Sequence, residues 1–485
     1  MKRALPLLAL SVAACGDDAE VAQKALSRAE LMSPETCKGC HSRHYQEWSG
    51  SMHAYAAEDP VFRAMNRRGQ EETQGALGTF CVNCHAPMAV REGATADGLN
   101  LDELDASLKG VTCYFCHNVV EVQGSHNAPL RLANDTTLRG GIANPTRNSA
   151  HGSKYSKLHD REALESASLC GACHDIVLPS PPAPAPVHLE RTFAEWQGTV
   201  FNRPPSQGGL TCGGCHMTGR DDVAADVDGV PLRRVHAHTW PGVDRAITDF
   251  PERAAQQALI EHELDQTLRF ELCVRQLPGV ASLHVTLENV AAGHHFPSGA
   301  AQDRRVWVEI GAWSGSSLLY ESGDVPVTEA VTSDPDPALW LLRDRAIGAD
   351  GKDAHMFWQV AELEPSTIPG PVSFDPKHPD YFITHLSHRY PAGSELIAGA
   401  PDRVSLRVHI EPIGRDVLDD LVQSGHLGAA ERDAVERLEL LPNRGKASVA
   451  LEWTPSAAAT PPLGFQKTID AVPAACVTSS VAKAN

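Results

Sequence analysis

Apolar and polar positions follow two different rhythms along this chain of 485 residues. In its first half, Glu35–Met52, Pro60–Arg67, Asp160–Leu169 and Leu189–Val200 have helix-compatible spacing and few breakers, which predicts short helices. Between them lie Gly/Asn-rich passages such as Leu138–Asn148 and the proline run Pro179–Pro186, which predict long loops and an extended connector. From Phe270 the rhythm becomes an alternation in Leu283–Leu287, Arg305–Ile310, Val404–His409 and Ala447–Trp453, separated by Gly, Pro, Asp and Ser. Half-buried strands alternate in this way, so residues 270–455 are expected to form a β-sandwich. One helical insertion is expected over Asp416–Leu438, and the helix-like Glu252–Gln266 lies in a connecting segment, residues 251–269. The Ala/Pro/Ser-rich stretch 456–485 reads as a poorly ordered tail.

The first half also carries the chemistry. Cys-x-x-Cys-His occurs five times, at Cys37/Cys40/His41, Cys81/Cys84/His85, Cys113/Cys116/His117, Cys170/Cys173/His174 and Cys212/Cys215/His216. This spacing predicts covalent attachment of haem c: two thioether sulfurs reach one porphyrin edge, and the adjoining histidine becomes the proximal iron ligand. Paired CxxC motifs also build zinc sites, but zinc does not require a histidine directly after every second cysteine. Five haem c groups over residues 33–250 leave about 43 residues each, too few for separate cores. The haems are therefore expected to bury one another, with short helices and long loops around them. Bis-histidine ligation is the economical expectation, because histidines are plentiful and few methionines (Met52, Met65, Met88 and Met217) lie near the motifs.

Lys2 and Arg3 precede the apolar run Ala4–Ala14, which is too short to span a bilayer. Val12-Ala13-Ala14-Cys15 resembles the lipobox of bacterial lipoproteins. That resemblance implies a signal peptide over residues 1–14, lipidation of Cys15 and a tether over 15–32. An ordinary signal peptide is the alternative. Gly16, rather than aspartate, follows the cysteine, which leans towards an outer-membrane lipoprotein facing the periplasm or the cell surface. Cys273 and Cys476 remain after the motifs and Cys15. In an oxidising compartment they either pair or stay as two free thiols. The formal net charge of −19 favours basic redox partners in the envelope and argues against nucleic acid.

The stretch Cys37–Ala56 (CKGCHSRHYQEWSGSMHAYA) resembles the opening of multihaem cytochromes related to hydroxylamine oxidoreductase and its tetrahaem electron-acceptor cytochrome. Gly110–Val119, Ser149–Asp175, His238-Thr-Trp-Pro-Gly and Gly293–Gly299 are similar to further elements of that family. Carried over residue by residue, the resemblance implies distal iron ligands at His53, His151, His238 and His294, with His159, His236, His126 and His295 competing for any remaining position. It also implies an immunoglobulin-like β-sandwich beyond residue 300. His378, His385, His388 and His426 read as surface or structural residues. The expected function is electron transfer through five haems at the cell envelope. Two other readings compete: an oxidoreductase with one open haem acting on a small nitrogen or other oxyanion, and a β domain that docks a partner. No motif ends in lysine instead of histidine, which departs from the catalytic members of the family.

Overall fold

The structure, a computed structural model, describes residues 24–178, 186–441, 450–458 and 474–479. The signal peptide, Cys15, nearly all of the proline run and most of the 456–485 tail lie outside the described residues.

Residues 28–250 contain many short helices and small two-stranded ladders. The longest helix in this stretch is Pro60–Glu72, which Asp59 caps by accepting from the Val61 backbone N–H. The expected helix Glu35–Met52 is divided among Pro34–Lys38, Ser42–Ser49 and Met52–Tyr55, and two more expected helices are shorter than their spacing suggested. Asp160–Glu165 is a turn, with the helix confined to Ser166–Gly171; Leu189 belongs to the strand His188–Glu190, and only Thr192–Gln197 is helical. In the second case Leu189 packs with Leu178 and Val187, so burial in a hairpin overrides the helical period. Part of the expected Leu138–Asn148 loop is also ordered, since Thr137–Gly140 pairs in parallel with Gly152–Tyr155. The end of the expected tether is folded as well. Ser27 and Glu30 form a capping box for the helix Arg28–Met32, and Leu31 and Met32 are buried against Tyr114, Phe115 and Val119.

The helix Arg253–Thr267 joins this region to two antiparallel sheets. One orders His385–Tyr390, Val280–Asn289, Leu268–Leu277 and Ala475–Thr478; the other orders Ser317–Ser322, Arg305–Ser314, Arg403–Glu411 and Leu438–Leu440. Alternate positions point inward, as the strand repeat of two requires. Phe270, Leu272 and Val274 from the first sheet share one apolar core with Val306, Val308, Ile310, Leu406 and Val408 from the second. Ile260 and Leu264 of the joining helix plug into the same core. The expected tail is corrected here: Ala475–Thr478 is a strand, because Cys476 lies opposite Cys273 and forms a disulfide with it. The expected insertion contains helices Arg415–Gln423 and Ala429–Ala434, but Leu438 already belongs to a strand. Val417, Leu418 and Leu421 of the first insertion helix pack on Val61 and Ala64 of the helix Pro60–Glu72, and Arg68 reaches Asp420 at 2.8 Å. The two regions are thus clamped together, and the second contributes side chains to the first.

Candidate haem-binding centres

Each motif is built on about one helical turn. Cys113–Asn118 and Cys212–His216 are helical, capped by Thr112 and Thr211, whose side chains accept from the backbone N–H groups of Phe115 and Gly214. The backbone N–H groups of His41, His85 and His174 donate to the carbonyls of Cys37, Cys81 and Cys170, the first cysteines of their motifs. Residues three and four apart share a helix face, so both thiols and the imidazole come from one side of the turn. The ten motif cysteines are each half-buried, and none of them is in a disulfide. Thiols from different motifs meet: Cys37 with Cys113, Cys84 with Cys173, and Cys170 with Cys212.

All five motif histidines engage Nδ1 with an acceptor. Nδ1 lies 2.6 Å from the Ala224 carbonyl in His41, 3.1 Å from Ala56 in His85, 2.5 Å from Arg139 in His117 and 2.8 Å from Pro241 in His216. A carbonyl only accepts, so Nδ1 carries the proton and Nε2 keeps its lone pair for a metal. His174 differs, because its Nδ1 faces the Glu190 carboxylate at 3.4 Å. Burial alone would lower the His174 pKa, but the hydrogen bond and charge of Glu190 raise it to about 9. Sequence reasoning missed Glu190 and the four carbonyls, and for the carbonyls no signal exists, since every residue type carries one.

The structure brings motif and non-motif histidines together in pairs. Ring centroids are 6.3 Å apart for His41 and His151, 6.2 Å for His174 and His53, and 6.1 Å for His117 and His238. With metal–nitrogen bonds of about 2.0 Å on each side, an ion between two imidazoles separates their ring centres by roughly 6 Å. The pairs therefore fit an iron held on both faces. His294 lies near both His216 and His174. The non-motif rings are oriented like the motif ones, with Nδ1 3.0 Å from Gly152 O in His151, 3.0 Å from His236 O in His238 and 2.7 Å from His295 O in His294. Burial pushes His53 down to about 3 and His294 down to about 4, so both stay in the neutral form that binds metals.

The remaining histidines have other contacts. His159 packs against His117, but its Nε2 lies 2.7 Å from the Cys116 carbonyl. His236 lends its carbonyl to His238, His126 is exposed beside Ser125, and His295 Nδ1 faces Glu195 at 3.7 Å. In the β region, His378 is paired with Asp380, His385 with Glu288 and His426 with Glu71, while His388 stacks on Trp340. His44, which no motif singled out, is buried edge-on against His238 at 4.9 Å. The ring stacked on His85 is Phe62, at 3.9 Å.

Residues 36–118, which hold the first three motifs, match the family described as cytochrome c554 and c-prime. No protein with a curated description matches the chain. Among solved structures, a penta-heme cytochrome c552 from Thermochromatium tepidum matches with a TM-score of 0.56 at 19% identity, covering 84% of this chain and 97% of that one. At that identity the likeness speaks for the fold. Together with the motifs, the two matches support a multihaem c-type cytochrome, with the haem-bearing part in the N-terminal region.

Proposed function

We propose that this protein carries electrons through five covalently bound haem c groups at the bacterial cell envelope. The three histidine pairs at 6.1–6.3 Å carry this reading, since each joins a motif residue to a distant histidine with Nδ1 already engaged wherever a hydrogen bond orients the ring. On this reading His41, His85, His117, His174 and His216 are proximal ligands, and His151, His238, His53 and His294 are distal ligands of the first, third, fourth and fifth motifs. Bound haem supplies a one-electron iron couple. The chain fixes the imidazole tautomers, excludes water and holds the motifs close together. The meetings of Cys37 with Cys113, Cys84 with Cys173 and Cys170 with Cys212, with Cys116 near Cys170 and Cys173, support a branched wire. The fourth motif is its junction.

The chain is further read as a lipoprotein anchored through Cys15 and serving a basic redox partner. Its C-terminal unit is read as an immunoglobulin-like sandwich, supported by two antiparallel sheets on one core. A second reading, reduction of a small oxyanion at the haem of the second motif, is favoured by His85, whose stacked ring is Phe62 and not a histidine. Intact mass together with a spin-state spectrum of the purified protein tests both. Five haems, all low-spin, support the wire. One high-spin haem that binds nitrite or hydroxylamine supports the reductase, and a mass without haem removes both.

A further inference from the structure

Beside the fourth motif, Asp175, His188 and His126 form a group of metal-binding composition to which the haem assignment proposed above gives no role. Asp175 is 4% exposed. Its Oδ2 accepts from the Ala194 backbone N–H at 3.3 Å, but Oδ1, equally buried, has no hydrogen-bond partner. That orphaned oxygen points at Nδ1 of His188, 3.9 Å away. The separation is too long for a hydrogen bond and about 0.5 Å wider than the roughly 3.4 Å between two ligands of a tetrahedral zinc with bonds of 2.0–2.2 Å. The His126 ring centre lies 6.5 Å from that of His188, and both side chains are exposed, so the His126 side chain has room to turn towards the same point.

This placement is braced. Asn127 donates its backbone N–H to the Asp175 carbonyl and its side-chain amide to Val177, and accepts from the Val177 N–H in return. His188 faces Val177 across the hairpin. The loop carrying His126 is therefore fixed to the strand pair carrying His188, with the carboxylate between them.

We infer that His126, His188 and Asp175 form a surface site for a borderline divalent cation such as Zn²⁺, with two imidazoles and one carboxylate as ligands and water completing the shell. A buried carboxylate oxygen without a partner is costly, and a cation there removes that cost while drawing the two rings together. The site requires that neither His126 nor His188 serves as an iron ligand.

Equilibrium dialysis of the full-length, haem-bearing protein against micromolar Zn²⁺ tests it, with bound metal counted per chain. Wild type should hold one zinc more than the His126→Ala/His188→Ala double variant. Each single variant should weaken that binding at least tenfold and leave the haem spectrum as it is. Equal zinc uptake by wild type and double variant overturns the inference. So does a loss of low-spin haem signal in either single variant, which would make that imidazole a haem ligand instead.

Discussion

The two regions of this molecule solve the problem of a core in opposite ways. The C-terminal sheets share one large apolar core, in which strand after strand contributes alternate residues with almost no exposure. The N-terminal region has several small clusters instead, such as those around Met88 and Phe115 or around Val82 and Leu101, and the histidine pairs and cysteine turns lie among them. A chain of that length with only scattered apolar clusters buries too little to fold on side chains alone. The comparison teaches that the β region is held by its own sequence, whereas the haem reading makes the porphyrins a structural requirement of the other region.

Removing the thiols of the fourth motif, the proposed junction, should have the largest effect. Cys170→Ala/Cys173→Ala is expected to leave residues 33–250 open to protease within minutes while the sheets resist, as read by mass mapping of the fragments. If both regions resist equally, the contrast between them is lost. Next in size is the disulfide, which closes a loop of 203 residues. Cys273→Ser/Cys476→Ser should cost about 4 kcal/mol in denaturant unfolding, confined to the sheets, with the haem spectrum unmoved.

A smaller effect is expected at the junction of the two regions. Glu195 accepts from Ser298 Oγ and the His295 N–H, and burial pushes it up to about 7. A carboxyl held above its unfolded value of about 4.3 contributes stability that is complete below that pH and lost as pH rises through the folded value. Thermal unfolding should therefore show the regions becoming less firmly joined between about pH 4 and pH 7, by roughly 1–3 kcal/mol. Glu195→Gln should flatten the curve. The smallest effect concerns Glu190, which gives His174 a carboxylate where the other four motif histidines have carbonyls. Glu190→Gln should make that imidazole a weaker donor and raise one midpoint potential by on the order of tens of millivolts. Redox titration that finds all potentials unchanged would leave the carboxylate without that role.

Much of the architecture was legible beforehand. The alternation in Arg305–Ile310 and Val404–His409 falls inside the strands Arg305–Ser314 and Arg403–Glu411, and Glu252–Gln266 matches the helix Arg253–Thr267 to within a residue. The misreadings have two causes. Leu189 and the Ala475–Thr478 strand owe their conformations to the strands they pair with, about which local spacing carries no information, whereas the Arg28–Met32 helix has a local signal in the Ser27/Glu30 capping box that the tether expectation leaves out.

The motif spacing by itself determined where thiols and motif imidazoles gather, because a helical turn converts a five-residue pattern directly into a geometry. The alternating stretches likewise determined a sheet-built second half, because side-chain direction in a strand is local. Only the tertiary structure decided which histidine faces which. His117 meets His238 and His174 meets His53 across more than a hundred residues, and the carbonyls of Ala224, Ala56, Arg139 and Pro241 that fix the tautomers belong to no residue type. Such pairings depend on how the chain packs as a whole, a property that a periodic pattern cannot encode.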